Sequence, residues 1–217
     1  MNLLSALLLA AAALVTFVVH EIAAATAAGR LGDRSAVRWG RRSLDPRKHV
    51  DPFGSVLLPL IGIGLAASGT RFPVFAYGRP MPSDPGAFRS PRSGPILVAL
   101  AGPAAQVLLA AVAGLVLRGI RAGLPLGGAV ASEAAYALLT VASTMAAFNL
   151  VPIPGLDGSR ILTRFLPSRA AEVYRGLDGY LPLFLLVILF VFPGPVLLIV
   201  RGLASGICYA VSGGPLC

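Results

Sequence analysis

His20 and Glu21 sit side by side in VTFVVHEIAAATAAGRLGD, a run from Val15 to Asp33 in which most other residues are apolar or small. The apolar runs of this chain hold few ionisable groups: His20, Glu21, Glu133 and Asp157. A charge in hydrocarbon costs about 3 kcal/mol on insertion scales, so such residues are usually paired or functional. On a helix, a His-Glu-x-x-His string puts two imidazoles at i and i+4 on one face, where they bind zinc. The intervening Glu, about 100° round the helix, is placed to take a proton from a metal-bound water. Here the residue four places after His20 is Ala24, so one imidazole is missing. A further ligand must come from elsewhere. Asp157, next to the Pro-Ile-Pro-Gly break at 152–155, is the one good carboxylate candidate.

The elements that must position these residues are apolar helices. Of the 217 residues, 56% are hydrophobic and 12% charged, with a mean hydropathy of +0.82. A soluble domain carries about a quarter charged residues; half of that, with long apolar runs, marks a bilayer protein. Leu3 to Ala28 is long enough to span, since about 20 helical residues cross the hydrocarbon. Its length and the absence of a basic start at Met1-Asn2 favour a retained helix over a secretory leader. Arg30 to Asp51 reads as an interfacial loop or short hairpin with Trp39, its basic residues a solvated face. Phe53 to Ala67, only 15 residues with Pro59, Gly62 and Gly64, reads as re-entrant or tilted. Ser68 to Ser93 is rich in Pro, Gly and Arg and reads as an extended loop.

Pro95 to Leu117 and Ala129 to Leu150 read as spans, with a turn at Gly119 to Gly128. Pro152 and Pro154 then stop regular helix, which resumes near Asp157 and runs to about Phe165. Leu181 to Val200 reads as a last span, interrupted at Pro193-Gly194-Pro195. Broken backbone at membrane depth survives only against protein or a polar cavity, which makes the 152–155 break a site candidate. The expected fold is an all-α polytopic membrane protein with about four to six spanning or re-entrant helices around an intramembrane polar site. Residues 1–217 form one domain, with a core over about 3–166 and a C-terminal membrane region over about 180–210.

The net charge of +9 fits Lys and Arg held in cytoplasmic loops beside anionic lipid. No aromatic-interleaved basic patch points to nucleic acid. If 53–67 does not cross, residues 27–93 share one side with 11 Lys/Arg against 2 in 118–128, which makes the larger loops cytoplasmic. Cys208 and Cys217 have no metal-finger spacing, and unpaired thiols are favoured over a late disulfide. The Ala-, Arg-, Gly- and Pro-heavy composition hints at a bacterial source.

Several blocks together resemble the site-2 protease family of intramembrane zinc metalloproteases. They are His20-Glu21 in an apolar helix, Ala99-Leu100-Ala101-Gly102-Pro103 entering a later helix, and the string from Phe148 through Asn149, Pro152 and Pro154 to Asp157-Gly158. The segment Leu44 to Gly54 is similar to a loop of compact prokaryotic members. The resemblance covers about Val15 to Leu166. It implies that His20 and Asp157 are zinc ligands and Glu21 the general base. It further implies that Asn149 shapes the substrate site and that Pro152 and Pro154 form its wall or pairing edge. The implied substrate is a transmembrane segment of a single-pass protein, within a lipid membrane. The family's second zinc histidine is Ala24 here, and Gln106 stands near where many members have Asn.

One zinc ion is therefore expected with an intact motif, and weak or absent zinc in this chain, because a catalytic zinc usually has three protein ligands. The family comparison puts His49, the only other histidine, in a loop outside the zinc site. Ala24 is either an introduced substitution or a natural loss. For Asp157 an alternative role is helix N-cap, for Glu133 a place at the membrane surface at a helix start, and for Gly102 and Pro103 packing. The leading function is an intramembrane metalloprotease scaffold, inactive or crippled as written; the competing one is a non-catalytic protein binding transmembrane helices. A transporter lacks its inverted repeats and paired broken helices, and no Gly-x-Ser-Gly string supports a serine protease.

Overall fold

The computed structural model describes residues 3–67, 77–79, 81–190 and 193–214. Part of the expected 68–93 loop, Met1-Asn2 and Cys217 lie outside the described residues. Among the described residues every regular element is helical. They are α1 (Leu3–Leu31), α2 (Ser35–Arg38), a π-helical turn (Pro52–Leu57) running into α3 (Leu58–Ala67), α4 (Gly94–Arg121), α5 (Ala129–Asn149), α6 (Asp157–Leu162), α7 (Ser168–Gly176), α8 (Leu181–Phe190) and α9 (Pro193–Ser212).

Four of these, α1, α4, α5 and α9 from Gly194, are long and apolar enough to cross a membrane. At 1.5 Å per residue they run from about 30 to 43 Å, against a hydrocarbon core of about 30 Å. The last span is thus shifted from its expected place. Leu181–Phe190 is a separate ten-residue helix, and the crossing begins afresh at Pro193 and continues to Ser212, because a proline-rich start costs least at a helix N-terminus.

Helices α1, α4 and α5 pack on one another, and α9 packs on α4 and α5. The seams are made of small residues: Ala25, Ala28, Ala99, Ala110, Ala142, Ala146 and Ala147 are fully buried, while Leu7, Leu14, Leu97, Leu108, Leu115 and Leu198 face outward. In lipid, leucine gains nothing by facing inward, whereas small residues let backbones approach closely and gain dispersion contacts. The bundle ends are set by polar pairs. Ser5 donates to Glu133, which fastens the start of α1 to the start of α5 and accounts for Glu133 at a helix start. Gly114 of α4 lies against Ser212 of α9. The starts of α1 and α5 and the ends of α4 and α9 therefore share one side.

On the other side, Arg89 N–H donates to Leu31 C=O (2.9 Å), and Asp33 accepts from Ser35 N–H, Ser83 Oγ–H and Asp84 N–H. The chain leaves past Gly54 and is back beside it at Tyr77, whose N–H donates to Gly54 C=O (3.1 Å). Gly54 and Tyr77 thus lie side by side at one level of the bundle. Cys208 is disulfide-bonded, and among the described residues no cysteine is free. This corrects the expectation of unpaired thiols; spacing alone could not show that the end of α9 permits pairing.

Candidate active site

Three separate elements bring the polar residues together. His20 and Glu21 lie two-thirds of the way along α1, about 16 Å of helix before its end at Leu31. Asn149 is the last residue of α5, where the chain breaks at Val151–Gly155. Asp157 is the first residue of α6. His20 Nε2 and Asp157 Oδ2 lie 3.3 Å apart, both nearly buried. The capping alternative for Asp157 does not hold, since Leu156 occupies the N-cap position without a side-chain bond. The carboxylate is turned to His20 instead.

Asn149 Nδ2 donates to Gln106 Oε1 (3.2 Å) and points at His20 Nδ1 (3.5 Å). In this arrangement Nδ1 is an acceptor, and the imidazole proton sits on Nε2, aimed at Asp157. A cation on Nε2 needs the other tautomer, with Nδ1–H donated to Asn149 Oδ1. Half-turns of both amides supply it, with Gln106 Nε2, which otherwise has no partner among the described residues, then donating to Asn149 Oδ1. Gln106 is fully buried, so the departure from Asn at that position keeps an amide that braces Asn149. Gly102 is the other support. A Cβ there would lie 2.2 to 2.8 Å from three ring atoms of His20, so the glycine makes room for the imidazole between α1 and α4. Its role is packing, as the sequence suggested, but packing of the site itself.

Glu21 faces His49 and Arg41, two side chains that sequence reasoning left outside the site. His49 is fully buried, with Nε2 bonded to Ser43 C=O (2.8 Å) and Nδ1 3.7 Å from Glu21 Oε2. Arg41, also buried, places Nη1 4.0 Å from the same oxygen and donates to Lys48 C=O (2.8 Å). The expected loop position of His49 is present. Its ring packs against Glu21, and Arg41, expected on a solvated face, is buried. The Glu21 carboxylate, outweighing burial, holds His49 above the ordinary imidazole range. The adjacent Asp51-Pro52 turn carried no signal for this contact, because it depends on how 41–49 folds back on α1.

A cavity of about 530 Å³ joins these groups, lined among others by His20, Glu21, Ala24, Asn149, Asp157 and Tyr77. Pro152 and Pro154 are not among the lining residues; Gly155 and Leu156 are. Pro152 contributes its backbone, whose C=O accepts from Tyr174 OH, and Gly155 N–H donates to Asp178 Oδ1 (2.8 Å). Tyr77 is a cavity residue that the sequence did not reveal. Burial, with a smaller contribution from Asp51, pushes its phenol up to about 12, so it stays a neutral donor.

Tetrahedral zinc with bonds of about 2.0 to 2.2 Å separates its ligand atoms by about 3.3 to 3.6 Å. The 3.3 Å between His20 Nε2 and Asp157 Oδ2 matches one such edge. The third position is the methyl of Ala24, and among the described residues no three His, Cys, Asp or Glu side chains could hold a metal ion. The donor set fits two-thirds of a catalytic zinc site and does not complete one.

Compared with known proteins, the chain is 31% identical over 184 residues to the "Putative zinc metalloprotease YwhC" of Bacillus subtilis, covering 83% of this chain and 78% of that protein. It is 32% identical over 180 residues to the "Putative zinc metalloprotease Rip2" of Mycobacterium tuberculosis, covering 81% of this chain and 63% of that one. The chain belongs to the site-2 protease family. The Rip2 protein of Mycolicibacterium smegmatis is 33% identical over 145 residues, and the match spans about half of its length. No protein-family profile and no solved structure matches the chain. With four apolar spans and bacterial relatives, this family member is an integral multi-pass membrane protein.

Proposed function

We propose that this chain receives a transmembrane segment of a single-pass membrane protein in the cavity beside His20 and Asp157, and that Ala24 leaves it unable to hydrolyse that segment at a normal rate. The observation that carries the reading is the pairing of His20 with Asp157 at 3.3 Å, in a cavity that also holds Glu21 and Ala24. A bound zinc would polarise the scissile carbonyl and activate water; with one imidazole and one carboxylate its affinity falls by orders of magnitude. What remains to this chain's own residues is binding. Asn149 and Gln106 orient His20, Glu21 sits beside His49 and Arg41, and Gly155 and Leu156 form the wall along which an extended segment lies.

The test is zinc content and cleavage of a model transmembrane substrate by the chain as written and by Ala24→His. We expect about one zinc per chain and turnover only in the histidine variant. If that variant neither holds zinc nor cleaves, the assignment of His20 and Asp157 as ligands is lost. Substrate capture without turnover in both versions would favour the non-catalytic binding role.

A further inference from the structure

On the side of the bundle where α1 ends, Ser35, Arg38, Trp39, Gly40 and Lys48 line an open pocket of about 580 Å³. We propose that this pocket binds the phosphate headgroup of an anionic membrane phospholipid. Its place follows from the chain: α1 runs to Leu31 and α2 starts at Ser35, so the pocket lies where a span emerges from hydrocarbon.

Its charge is net positive. Arg34, Arg38, Arg42, Arg47 and Lys48 are exposed. The two acids of this stretch are occupied elsewhere, Asp33 by Ser35, Ser83 and Asp84, and Asp45 by the Arg47 N–H. Among the described residues no carboxylate lies within ion-pair distance of Arg38 or Lys48.

The pocket is also pre-shaped. Gly40 has φ +70°, and a Cβ there would lie 3.2 Å from Lys48 Nζ, so the turn brings backbone against the ammonium. Buried Arg41 ties back to Lys48 C=O and His49 to Ser43 C=O, both at 2.8 Å. These two bonds hold Lys48 across from Arg38. Trp39 and Leu44 are 73% and 80% exposed. Apolar side chains left outside a loop that is otherwise basic suit the interface, where indole rings sit at headgroup level. A free phosphate would use the cations and leave this apolar surface idle, which is why the occupant is a lipid.

Trp39 is the only tryptophan of the chain and so reports on the pocket alone. The full chain, delipidated in neutral detergent, is titrated with phosphatidylglycerol or phosphatidylcholine while Trp39 emission is followed, and bound lipid is counted by native mass spectrometry. We expect phosphatidylglycerol to bind more tightly. Each basic residue near an anionic lipid surface contributes about a five-fold factor, so Arg38→Ser/Lys48→Ser weakens binding about 25-fold. Arg169→Ser/Arg175→Ser, with the same charge change on α7, moves it less than about two-fold. Arg38→Lys keeps the charge and keeps most of the binding, which separates loss of the pocket from loss of the fold. Equal binding of the two lipids, equal losses in the two double variants, or competition by millimolar inorganic phosphate would each overturn the proposal.

Discussion

The imidazole of His20 occupies space that a side chain at position 102 would need, and the site depends on that single absence. Gly102→Ala puts a methyl 2.2 to 2.8 Å from the ring. Overpacking of this kind costs about 1 to 3 kcal/mol, or several degrees in the melting temperature of a chain this size. Gly64→Ala meets nothing within 4 Å and serves as the control; there we expect no loss. A thermal melt in detergent that treats both variants alike would refute the account of Gly102. His49 gives a prediction in pH. Its folded-state value lies above the unfolded one because of Glu21. The stability it contributes is therefore fully present below about 6.5, its unfolded value, and lost as pH rises through the raised value. Melting temperatures across that window should fall more steeply for the native chain than for His49→Gln, and parallel curves would mean that the pair is not coupled.

At the scale of elements, the break after α5 matters most. Two prolines end the helix, and the freed backbone is not left to lipid: Pro152 C=O takes the hydroxyl of Tyr174, and Gly155 N–H is taken by Asp178. These bonds fasten the α7 region onto the loop that leads to Asp157. Each contributes about 1 kcal/mol. In Tyr174→Phe/Asp178→Ala we expect α7 to open more often, with faster trypsin cleavage at Arg169 and Arg175. Unchanged cleavage would show that the anchoring lies elsewhere, for instance in the packing of Leu181 and Leu185 into the core with Phe148 and Ile153.

At the scale of the whole molecule, the distribution of basic residues over the two ends of the bundle bears on the orientation. Among the described residues, Arg30 to Lys48, Arg79 to Arg92 and Arg160 to Arg175 lie on the side of the site. The opposite end of the bundle has Arg118 and Arg121. Lys and Arg are retained in the cytoplasm, so we expect the site side to be cytoplasmic. A disulfide at Cys208, near the outer end of α9, fits an oxidising compartment. Alkaline phosphatase inserted at Gly123 should be active, and a reporter that fluoresces only in the cytoplasm should shine when inserted at Ser83. The reverse pattern would invert the topology.

Composition and run length determined that the chain is a helical membrane protein, because the bilayer leaves a span few other choices. The helix starts and ends of α4 and α5 were legible to within a few residues, and His20, Glu21, Asn149 and Asp157 were legible as polar exceptions with a motif around them. The last span was misplaced, since apolar periodicity alone cannot say on which side of a proline pair a crossing begins. Tertiary structure alone decided that Asp157 turns to His20 instead of capping its helix. It alone brought His49 and Arg41 to Glu21, set Tyr77 beside Gly54, and put a glycine behind the imidazole. Those are contacts between residues 20 or more positions apart, set by how helices cross and loops fold back, and no local pattern of residue types encodes them.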